Sequence, residues 1–150
     1  MTDFVEVKAL APTGVLGSGF VEDSFNRMMA MNPDFIGCDA GSTDAGPYYL
    51  ATGKTAFPLP SIKRDLRIMV KGGRQNNIPV LIGSCGTAGG DIQLRTMFGL
   101  LKEIVTEEGL SLRVALVHCE QDFEYLKAKL REGKVHPLDN PPKFDEAVID

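Results

Sequence analysis

Short apolar runs alternate along this chain with longer stretches of helical period. Val7 to Leu10, Phe35 to Gly37, Pro79 to Ile82 and Leu112 to Val117 are bounded by turn residues and predict buried strands. From Ile92 to Glu108, apolar side chains recur at Leu94, Met97, Phe98, Leu101, Ile104 and Val105, one face of a helix. Asp91 is placed to cap its start and Gly109 its end. A second helix is predicted over Phe123 to Arg131, with Phe123, Leu126 and Leu130 inward and Gly133 closing it. Two weaker patterns run from Val21 to Met31 (Val21, Phe25, Met28) and from Ile62 to Val70 (Ile62, Leu66, Met69). The latter is expected to stop at Gly72-Gly73.

Strand, loop and helix in repeated succession mark the α/β class, because parallel strands need crossover helices. The expectation is an open, mainly parallel sheet of about four to five strands with flanking helices, a Rossmann-like three-layer arrangement. Residues 1–150 read as one α/β domain. After the turn Asp139-Asn140-Pro141-Pro142 an amphipathic segment begins at Lys143 and simply stops, which points to the N-terminal part of a longer architecture.

Charge narrows the partners. With 16 basic against 20 acidic side chains the net charge is −4, and the basic footprint of a nucleic-acid binder is missing. The acidic start Met1-Thr2-Asp3-Phe4-Val5-Glu6 is not a secretory signal. The uncharged window Gln75 to Gly90 is rich in Gly, Asn and Ser, whereas a membrane helix needs about 20 mainly apolar residues. Three cysteines without a CxxC pair point to a reducing compartment, so a cytoplasmic protein is expected.

In open parallel sheets ligands bind beyond the carboxyl ends of the strands, which selects the loops to inspect. The third loop, Gly83 to Asp91, is the strongest anion candidate. Ser84, Gly86, Thr87, Gly89, Gly90 and Asp91 could aim backbone N–H groups and a helix N-terminus at a phosphate or carboxylate. The same glycines would serve equally well for tight turns. The second loop holds two carboxylates, Asp39 and Asp44, among the hydroxyls of Ser42, Thr43 and Tyr48. Those oxygens suit acid/base work, or a hard divalent cation, and Asp and Ser also cap turn amides readily. Thr13, in the first loop, is a further candidate to bind the substrate anion. Cys85, close to a helix N-terminus, and His118, at the end of the fourth run, could form a nucleophile and base. Zinc binding by Cys38, Cys85, Cys119 and His118 is weaker, since strand alternation separates neighbours.

Familiar nucleotide motifs fail. Gly83, Gly86 and Gly89 do not have dinucleotide-fingerprint spacing, and Gly53-Lys54-Thr55 lacks the first glycine of a P-loop.

The stretches Leu10 to Gly14, Pro33 to Leu50 and Gly83 to Asp91 together resemble the acyclic terpene utilisation family of bacterial proteins, whose members are considerably longer. The resemblance implies catabolism of a small carboxylic acid or acyl-CoA, and family members are sometimes labelled lyases. The leading expectation is therefore a lyase- or hydratase-type enzyme domain. Its ligand would be a small carboxylate or CoA ester, with a divalent metal as one route to Asp39 and Asp44. The alternative is a ligand-binding or subunit-interaction module, either as a homo-oligomer or with a partner subunit.

Overall fold

The computed structural model describes residues 5–41, 47–136 and 144–149. Two compact units result, Met1–His118 and Cys119–Asp150. The first contains β1 (Ala9–Leu10), α1 (Glu22–Met29), β2 (Phe35–Asp39), α2 (Tyr48–Thr52), α3 (Leu59–Asn76), β3 (Val80–Gly83) and α4 (Asp91–Glu107). The strands form one parallel sheet in the order β1-β2-β3. Leu10 pairs with Ile36, and Ile36 to Asp39 pair in step with Val80 to Gly83.

Alternation along β2 sends Ile36 and Cys38 to one face, both buried. Phe25 and Met29 of α1, Leu66, Met69 and Val70 of α3, and Met97, Leu100 and Ile104 of α4 join them in one cluster. Burying a side chain such as Ile36, Met69 or Ile104 stabilises by about 1.5–3 kcal/mol, and all three are fully enclosed. Because the strand order advances without reversal, successive crossovers of one hand bring their helices to the same face. The sheet therefore packs α1, α3 and α4 as one layer, where helices on both faces were expected. On the other face of β3, Leu81 is 55% exposed.

Three strands form where four to five were expected. Leu112 to Val117 joins no ladder among the described residues. A strand inside a parallel sheet is covered on both faces, but here Val114 is 45% and Leu116 40% exposed. Gly72-Gly73 does not stop its helix: α3 runs on to Asn76. The pair is needed for close approach. A β-carbon on Gly72 would meet the Phe25 ring at 2.7 Å, and one on Gly73 would meet Val80 at 2.5 Å. Asn77, in the left-handed region, ends the helix instead. Prolines at its start are tolerated because first-turn N–H groups have no intrahelical partner.

Along the outer seam of α3 and α4, Lys63 bonds Glu103 at 2.6 Å and Glu107 at 2.7 Å, Lys71 bonds Glu108 at 2.7 Å, and Arg67 reaches Glu107 and Glu108. The hydrogen bond from Lys63 holds the Glu107 carboxyl below its usual range. Such exposed pairs contribute little each.

In the second unit, α5 (Phe123–Arg131) coincides with its predicted span. Asp122 caps it, accepting from the Tyr125 N–H at 2.8 Å, and Gly133 closes it with φ +67°. Its expected inward face is not buried: Phe123 is 58% exposed, and Leu126 and Leu130 are half-buried. Arg131 grips Glu146 through Nε and Nη2, at 2.7 and 2.5 Å, tying the 3-10 turn Glu146–Val148 to the helix. No described helix is long and apolar enough to cross a membrane.

Candidate functional site

The carboxyl edge of the sheet brings three loops together. From the first, the Leu16 N–H donates to the Asp39 carbonyl at 2.9 Å, and Leu16 is 1% exposed. Thr13 lies in this loop with its hydroxyl 2.8 Å from that of Ser18, so part of its hydrogen bonding is local. The loop is held from below by Asp65 of α3, a fully buried carboxylate. Its Oδ2 accepts from Gly17 and Gly19, each at 3.0 Å, and its Oδ1 pairs with Arg64 at 2.8 Å.

Loops two and three touch at Gly41. A β-carbon there would lie 2.5 Å from Ser84 Cβ and 2.8 Å from the Thr87 carbonyl oxygen. Asp39 Oδ1 accepts the Gly41 N–H at 2.8 Å, a capping bond that holds this turn against Ser84. Ser42, Thr43 and Asp44 lie outside the described residues. Tyr48 heads α2 and is half-exposed, its ring edge-on to Tyr49.

Loop three winds tightly. Ser84, Gly86, Thr87 and Gly89 all have positive φ, at +45°, +65°, +89° and +71°. For the β-branched Thr87 this conformation is strained by about 1–3 kcal/mol. Burial to 5% exposure and a hydrogen bond from the Ala56 N–H at 2.9 Å hold it there. Gly90 precedes the first residue of α4, and no side chain caps that helix.

Asp91 has a different task from the one its position suggested. It is the first residue of α4, and its Oδ1 lies 2.8 Å from His118 Nδ1. Arg95 stands 3.7 Å from Oδ2. A carboxylate at the positive end of a helix is well placed, and here it also orients an imidazole that is 54% exposed to solvent. Cys85 packs against the core cluster with its Sγ 3.6 Å from the Ile82 carbonyl. The geometry thus pairs Asp91 with His118, and sets Gly41, capped by Asp39, against Ser84 and Thr87. Among the described residues no three metal-ligating side chains converge. A cleft of about 600 Å³ between residues 53–59 and Thr96 contains none of the expected site residues.

Two structural polar residues escaped the sequence reading. Asp65 and Gln93 are 0% and 1% exposed, and Gln93 donates to the Tyr49 carbonyl at 2.6 Å. Each stands at a stripe position of its helix, Asp65 with Ile62, Leu66 and Met69, and Gln93 with Met97, Leu100 and Ile104. A lone polar residue on an apolar stripe was the available signal.

Burial, reinforced by the nearby Asp39 and Asp65 charges, pushes the Cys38 thiol up from 9.0 to about 11. The folded state therefore keeps a proton that the unfolded chain releases. Stability from this thiol is complete below pH 9.0 and is lost as pH rises to about 11; the total is about 2–3 kcal/mol. Urea midpoints across this window should fall less in Cys38→Ala than in the wild type.

Comparison with known families, curated proteins and solved structures finds no match for this chain.

Proposed function

We propose that the chain is a cytoplasmic enzyme domain that moves a proton next to the carbonyl of a small carboxylic acid or its CoA ester, in lyase- or hydratase-type chemistry. One observation carries the reading: a carboxylate–imidazole pair, Asp91 and His118, stands at the loop edge of a parallel sheet. A base of this kind removes an α-proton, and Asp91 orients the ring and steadies the imidazolium that forms. The winding loop from Ser84 to Gly90 would receive the substrate's anionic end. Asp39 and Asp44 are the partners for a leaving group or a divalent cation. The substrate class is taken from the resemblance to the acyclic terpene utilisation family.

The test is exchange of substrate α-protons with solvent deuterium, using short acyl-CoA thioesters and small dicarboxylates as probes. His118→Gln should slow wash-in by about 10²–10⁴-fold, and Asp91→Asn by less. Equal rates in wild type and His118→Gln would remove His118 from the chemistry.

A second reading, a subunit-interaction module, is favoured by the exposed apolar side chains Leu81, Val114 and Leu116. Absent wash-in together with concentration-dependent self-association in sedimentation would select it.

A further inference from the structure

The run Leu112 to Val117 is anchored at both ends. At its start, Arg74 Nε near the end of α3 donates to the Ser111 carbonyl at 3.2 Å. At its finish, His118 meets Asp91 at the head of α4. β3 also connects these two places, leaving the end of α3 and arriving before α4. The run and β3 therefore travel in the same direction between the same two helix ends. Leu110 and Leu112 pack against the cluster that Ile78, Val80 and Ile82 also touch. Beyond Leu112 the same parity of side chains, Val114 and Leu116, remains 45% and 40% exposed. β3 is an edge of the described sheet, with β2 on its other side.

We infer that Leu112 to Val117 is a strap poised to close on the edge of β3 as a parallel strand, seating His118 over the loop from Ser84 to Asp91. Closure would place Leu112, Val114 and Leu116 on the helix-covered side, in line with Val80 and Ile82. Apolar burial drives it. The link to His118 rests on the function proposed above, whereas the closure itself does not.

Two measurements separate these parts. In the unmodified chain, amide exchange should be at least about a hundredfold slowed at alternate residues between Leu112 and Val117, the pattern of a parallel ladder. Uniformly fast exchange there, with and without acetyl-CoA, would overturn closure. In a Cys85→Ser, Cys119→Ser background, Ile82→Cys with Leu116→Cys should oxidise to an intrachain disulfide. Leu81→Cys with Leu116→Cys should not, because opposite parity puts those side chains on opposite faces. Equal yields from the two pairs would also contradict a ladder. If closure is seen and deuterium wash-in is absent from the wild-type chain, the strap stands and the catalytic reading falls.

Discussion

Asp65→Ala is expected to destabilise the protein by about 2–4 kcal/mol, because it removes a buried carboxylate that accepts two amide hydrogen bonds. The side chain is 0% exposed and satisfies two amides, Gly17 and Gly19, besides Arg64. Alanine leaves the buried Gly17 N–H without its acceptor, turns the Gly19 N–H toward solvent, and removes the charge beside the half-exposed Arg64. For a domain of this size each kcal/mol moves the thermal midpoint by roughly 2–4 °C, so a drop of about 10 °C is anticipated. Asp65→Asn, which can still accept from both amides, should cost about 1–2 kcal/mol. Urea unfolding of the two variants measures the difference. A loss below about 1 kcal/mol in Asp65→Ala would mean that the first loop is held by other contacts.

The second large effect is expected at Gly41, where two loops of the candidate site press together. A valine brings its β-carbon to 2.5 Å from Ser84 Cβ and 2.8 Å from the Thr87 backbone oxygen. Backbone cannot rotate away as a side-chain tip can, so the loops must part. Overpacking of this kind costs about 1–3 kcal/mol. Wash-in should fall further than this stability loss alone explains, since the Ser84 to Gly90 loop is displaced from the turn at Gly41. Gly14→Val, in the first loop, is the control, because nothing lies within 4 Å of a β-carbon there. Equal wash-in from the two valine variants would show that contact between loops two and three is irrelevant to function.

Much of the framework was legible in the sequence. The helical period from Ile92 to Glu108 and the run through Phe123 to Arg131 gave helices at those places, because periodicity reports which face a helix buries. The rule that ligands gather at the carboxyl ends of parallel strands selects the loops of Asp39, Ser84, Thr87 and Asp91, which do follow strands of the described sheet, whereas His118 follows a run that joins no ladder there. Where the reading failed, tertiary context was the cause. Gly72-Gly73 has the local signature of a helix end, yet Phe25 and Val80 press so closely that only glycine fits inside α3. Leu112 to Val117 has strand composition, but a strand also needs a ladder, and composition does not reveal whether one is made. Asp91 has the local signature of a helix cap, and its pairing with His118, 27 positions along the chain, is invisible to local pattern. The layering followed from strand order, which local patterns do not encode.

The role proposed for the Asp91–His118 pair is proton transfer on a small acid or thioester. Its most direct test is deuterium wash-in by the wild-type chain, read by mass spectrometry on short acyl-CoA thioesters and dicarboxylates in D₂O. A single deuterium is expected at the α-carbon of at least one probe, lost in His118→Gln while the variant's thermal midpoint is retained. Wild-type chain that is folded, saturated with every probe and still leaves all α-protons in place would contradict it.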